Sequence, residues 1–336
     1  MDINVPTSIN TIKDIESNVP FFKPNKKLGI FFSFICLFLL GILPIISNSR
    51  PMTFSALDYT MFLSVWEFVF SIPLFLQSSL RTENRGIFDK KIQSDLKQKT
   101  LIVILITGVL FLFSTFLYVL TFEKVGTVNA AIAVQTFPVF TIILETIFLS
   151  KKKTNQELFF TLLLIIALVY LGTNGTFIFE KLSFWFILAL AVPLLWSVAH
   201  LTLKLFMEKS SINPPQIIFF RVAISSVLLL ILLILLEGPN VVVDELLNTN
   251  YQIYALAMGL VYYFELVNWF NAIKNIDVSL AGSITTPTPV ITMIFALMFL
   301  QEILHLYQLI SLTIVCLSLY GILYSGSKND KKINLQ

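Results

Sequence analysis

Tyr262, Glu265, Asn268 and Trp269 recur at spacings of three and four within one apolar stretch. On a helix that spacing places all four on one side. A carboxylate between aromatic rings suits a positively charged organic group, because the acid pairs with an ammonium and ring faces attract it. A second acid, Glu67, follows Trp66 in another apolar stretch, and Arg221 is a lone cation in a third. Little else is chemically equipped. The two histidines, His200 and His305, belong to no HExxH or Ser–His arrangement, and no aspartate lies midway along an apolar run, so an intramembrane enzyme is not indicated. Cys36 and Cys316 are too few for a disulfide framework or a metal site, and the sequence calls for no cofactor.

The elements that must position these groups follow from composition. Of 336 residues, 56% are apolar or aromatic and 13% charged, against roughly a quarter charged in soluble domains. Ten apolar runs cover 28–47, 59–78, 101–120, 126–149, 156–174, 183–203, 216–236, 252–272, 278–300 and 305–325. Each matches the ~20 residues that a helix needs to cross a ~30 Å hydrocarbon layer. The expected fold is all-α and polytopic, with ten transmembrane helices. Residues 1–27 and 326–336 read as polar tails. The first run is too long for a signal-peptide core. With the amino terminus placed in the cytoplasm, nineteen Lys and Arg fall on the cytoplasmic side and three outside. That bias puts both termini in the cytoplasm, and it makes the net charge of +3 a topology signal rather than a nucleic-acid footprint.

The chain also repeats itself. Residues 121–151 and 271–302 carry the same interrupted apolar pattern, with Thr136 against Thr286, Pro138 against Pro289 and Gly175 against Gly326. Five helices separate the copies, and five is odd, so the second copy crosses in the opposite direction. This predicts a 5+5 inverted-topology repeat, residues 28–174 and 183–325, an architecture of many secondary transporters. Pro138, Pro287 and Pro289 interrupt apolar helices, and are expected to act in gating as bending points.

In these copies Val278-Ser279-Leu280-Ala281, Pro289-Val290 and Gln301-Glu302 resemble the motif of the EamA-type drug/metabolite transporters. The first copy offers Val128-Asn129-Ala130-Ala131 and Pro138-Val139, but Lys151 stands where that family usually has Glu. The resemblance implies a central cavity lined by helices 1–4 and 6–9, with helices 5 and 10 peripheral. It also implies motion of helices 3–4 and 8–9, a structural role for Glu302, and a monomer or a homodimer through helices 5 and 10.

The expected substrate-binding residues are Trp66, Glu67, Arg221, Tyr262, Glu265, Asn268, Trp269 and Thr286. Depth along the helices separates Glu67 from Arg221 by roughly 10 Å, so Glu265 is the carboxylate expected to pair with Arg221. Arg221 also lies near enough to an interface to snorkel. Glu145, His200 and Lys204 fall near helix ends and read as interfacial, and Trp185 and Trp196 read as belt or bundle residues. This cavity suits a secondary transporter of an amino acid, an amine or a related zwitterion or cation, with Glu67 or Glu265 available to carry a proton. A nucleotide-sugar or sugar-phosphate exchanger would need several convergent cations. A non-transporting receptor or assembly subunit is the remaining alternative. The expected partners are a small solute and the lipid bilayer of the cell membrane, not nucleic acid.

Overall fold

Apolar runs of this length satisfy their backbones in lipid by closing each hydrogen bond within the segment. The computed structural model describes residues 24–80, 86–88, 94–149, 154–209 and 212–333. Many basic residues of the orienting charge count, including Arg81, Arg85, Lys90, Lys91 and Lys151 to Lys153, lie outside these ranges. Among the described residues, ten helices are long and apolar enough to span a membrane. The protein is an integral membrane protein.

The first three spans are α1 (Lys26–Asn48), α2 (Ala56–Leu80) and α3 (Ser94–Val125). The fourth is split into α4 (Thr127–Val134) and α5 (Phe137–Leu149). The fifth, sixth and seventh are α6 (Asn155–Gly172), α7 (Phe184–Lys209) and α8 (Pro214–Glu237). A short helix, α9 (Pro239–Leu247), lies between the seventh span and α10 (Thr249–Asn275), the eighth. The ninth is split again, into α11 (Val278–Ile284) and α12 (Thr288–Phe295), followed by one π-helical turn over Ala296–Leu300. The tenth is α13 (Leu306–Ile333), which runs on past residue 325. The face of the bundle where α1 begins is called the near face below, and the opposite one the far face.

Local chemistry sets these boundaries. Asn25, Asn213 and Asn248 accept backbone N–H bonds at the starts of α1, α8 and α10. Thr154 and Glu157 form a reciprocal capping box on α6. The halves pack as an inverted repeat requires. Helix α1 lies on α10 as α7 lies on α3, and α12 lies on α1 as α5 lies on α7. The pairs α2–α8 and α6–α13 each join equivalent spans of the two halves. Large apolar side chains such as Phe31, Phe38, Leu162 and Leu235 stay exposed on the perimeter, as a lipid-facing belt does.

Threonine hydroxyls donate to main-chain carbonyls at both interruptions, two of which also accept a backbone N–H. Thr136 Oγ1 donates to the Ala133 carbonyl at 2.8 Å, Thr285 Oγ1 to Gly282 at 2.9 Å, and Thr288 Oγ1 to Thr285 at 2.6 Å. Pro138 and Pro289 then sit in the first turn of α5 and α12, where proline's missing N–H costs no helical bond. The prolines therefore mark complete breaks rather than bends in continuous helices. The two breaks are neighbours: a Cβ on Gly282 would stand 3.0 Å from the Phe137 ring and 3.2 Å from Pro138.

Candidate functional site

The breaks open onto a central cavity of about 620 Å³, its mouth included. Gln135 and Phe137 line it from the first break, and Thr285 and Thr288 from the second. Helix α10 contributes Tyr262, Glu265, Leu266 and Trp269; α3 contributes Tyr118 and Phe122; α7 contributes Trp196 and His200. Leu40 and Pro44 complete the wall from α1. Pro44 has no N–H to give the Leu40 carbonyl, so the wall carries a main-chain acceptor outside the helical ladder. Discontinuous helices meeting at a midplane cavity are how polar backbone is brought to a solute without exposing it to lipid.

Among the described residues, Glu265 is the only Asp or Glu on this wall, and no Lys or Arg joins it. Aromatic rings dominate the rest. Tyr118 and Trp196 stack with centroids 5.7 Å apart, and Phe137 meets Trp269 edge-on at 5.5 Å. The Trp269 indole N–H donates to His200 Nδ1 at 3.0 Å. An indole nitrogen only donates, so His200 Nδ1 carries no proton, and in the neutral ring the donor is Nε2–H. The Trp196 N–H is buried with no hydrogen-bond partner. The wall thus combines one carboxylate, several ring faces and a few neutral polar groups.

The expected site residues divide. Tyr262, Glu265 and Trp269 line the cavity. Glu67 does not; it is 2% exposed, and its Oε1 has no partner. Trp66 points its N–H at Gln252 Oε1, 2.9 Å away. Asn268 is half-buried and donates to the Phe264 carbonyl of its own helix at 2.7 Å. Thr286 is fully buried, and its neighbours Thr285 and Thr288 face the cavity in its place.

The expected Glu265–Arg221 ion pair is not formed: among the described residues, no carboxylate oxygen lies within 4 Å of Arg221. Its guanidinium instead lies on the Phe111 ring, 3.7 Å from the centroid, and 5.8 Å from that of Tyr262. A planar, weakly hydrated cation gains from such stacking when desolvated. Snorkelling is overturned as well, since Arg221 is 2% exposed.

His200 was expected at an interface but lines the cavity. The apolar run ends near 203 while α7 continues to Lys209, which moves His200 about six residues further inside the helix than the run implies. It shares the cavity face with Trp196 at a spacing of four. Lys204 instead donates to the carbonyls of Ile273 and Ile276 at 2.6 and 3.2 Å, closing the C-terminus of α10. Glu302 accepts from the Thr127 N–H at 3.3 Å and from its hydroxyl, so it caps α4 at the far face.

A ten-helix inverted repeat with paired broken helices around a central cavity defines a membrane carrier fold. The model of the EamA-like transporter family matches residues 27–173 and again 183–324. The chain belongs to that family and is a membrane transporter of the drug/metabolite transporter superfamily. A crystal structure of another protein, 13% identical, superposes with a TM-score of 0.62 over 89% of this chain and 98% of its own, and shows the fold alone. No curated protein matches the chain.

Proposed function

We propose that this protein is a secondary carrier, working by alternating access, for a small organic cation with an apolar or aromatic body, such as an amine. One observation carries the reading: among the described residues, Glu265 is the one carboxylate, with no Lys or Arg beside it, on a wall of aromatic, aliphatic and neutral polar side chains. A carboxylate and ring faces together favour an ammonium. An amino-acid zwitterion would leave its own carboxylate without a cationic partner there, because Arg221 is turned onto Phe111. Phosphorylated solutes are disfavoured more strongly on the same ground. The positive-inside bias supports the near face as cytoplasmic.

The test is flux into proteoliposomes of phenethylammonium, phenylalanine and phenyl phosphate, which share a ring and differ in charge. Transport of phenethylammonium in preference to the other two is expected. Preference for phenyl phosphate, or binding of any of the three without movement, would overturn the proposal.

A further inference from the structure

Arg221 and Glu67 are buried, charged and outside the cavity, and both leave polar atoms unanswered. Among the described residues, Arg221 Nε and Nη1 have no hydrogen-bond partner, nor does Glu67 Oε1. Tyr262 and Glu265 from α10 neighbour both of them and His200 from α7 neighbours Arg221, while Tyr118 from α3 and Cys36 from α1 neighbour Glu265. Arg221 is the opposite charge that both Glu67 and Glu265 feel. With both acids ionised, the trio carries one negative charge more than it can balance, in surroundings where an unbalanced charge is costly. One further positive charge closes the sum.

That charge has two possible sources. A cation in the cavity balances Glu265 and leaves Arg221 to balance Glu67. Alternatively a proton neutralises Glu67, and Arg221 is left to balance Glu265. We propose that Glu67 is the coupling-proton site of this carrier, and that Arg221 makes a proton on Glu67 and a cation beside Glu265 mutually exclusive. The inference rests on the organic-cation reading above. When the cation arrives, the Glu67 O–H bond breaks and the proton leaves to water, so the buried charge stays at zero. The exchange is one proton for one monovalent cation, and it is electroneutral. Position supports this division: Glu265 lines the cavity, Glu67 does not, and the Tyr262 side chain lies between the cavity and Arg221.

The experiment has two arms on the purified full-length protein. In the first, pH-dependent infrared difference spectra follow protonated carboxyls with no solute present. A carboxylic-acid band that disappears in Glu67→Gln, returns shifted in Glu67→Asp and keeps its position in Glu265→Asp is expected. A band that shifts in Glu265→Asp and keeps its position in Glu67→Asp would overturn the proposal. In the second arm, phenethylammonium is added in weak buffer. Wild type should release about one proton per bound ion, and Glu67→Gln none, with roughly tenfold weaker binding. Glu67→Gln combined with Arg221→Gln should restore binding, because the cation then balances Glu265. Undiminished release from Glu67→Gln would also overturn it. If wild type binds no phenethylammonium while the first arm gives its expected result, the proton site stands and the organic-cation reading falls.

Discussion

Glu67 and Glu265 are the same residue type, equally enclosed and on helices in contact, yet they meet different surroundings. Glu265 ends in a chamber ringed by Tyr262, Trp269 and Trp196. Glu67 ends in packed protein near a guanidinium that stacks on Phe111. Burial alone therefore does not assign a role; what decides is whether the carboxyl faces space large enough for a solute. Their separation depends on a close approach at Gly259, where a Cβ would stand 2.8 Å from the Leu63 carbonyl oxygen and 3.1 Å from the Glu67 nitrogen.

The comparison breaks most severely if the cavity carboxylate is removed. Glu265→Gln should weaken phenethylammonium binding by roughly ten- to a hundredfold, the worth of a hydrogen bond to a charged group, measured by calorimetry in detergent. Gly259→Val should force α2 and α10 apart and disturb both carboxyls at once. About 1–3 kcal/mol of overpacking is expected, read as a lower thermal midpoint with binding and proton release lost together. Retained stability would mean that the approach at Gly259 does not set the positions of the two acids. Trp269→Phe keeps the ring and removes the bond to His200, so affinity should fall only about fivefold, near 1 kcal/mol.

A third acid outside the spans sharpens the contrast. On α9, burial and then the nearby Asp58 and Glu237 push the Glu245 carboxyl from 4.5 up to about 8. A raised acid binds its proton more tightly when folded, so its contribution is fully present below about 4.5 and is lost as pH rises through about 8. Hydrogen exchange of the α9 amides, corrected for intrinsic rates, should accelerate over that window in wild type and stay flat in Glu245→Gln. The effect is the smallest of the four because the side chain is partly solvated.

Much of the site was legible because helical period and lipid length are strict. Tyr262, Glu265 and Trp269 cluster on one stripe of α10, but Asn268 is turned about 90° from its middle at about 100° per residue, and spacing of three and four alone hides that drift. Thr286 was chosen as the repeat partner of Thr136. The break over residues 285–287 changes which threonine faces inward, and a backbone break has no side-chain period to read. Trp196 and His200 share a face at spacing four, a signal that was present but masked by an apolar run ending before its helix does.

Composition, run length and the doubled Pro138 and Pro289 pattern determine by themselves a ten-span bundle in two opposed halves, because lipid permits few backbone solutions and an odd spacing forces inversion. Tertiary structure alone decided that Arg221 lies on Phe111 instead of pairing with Glu265, and that Glu67 is kept from the cavity. Which groups meet across helices depends on rotations and close approaches such as Gly259 against Leu63, and these are set by packing between segments far apart in the chain.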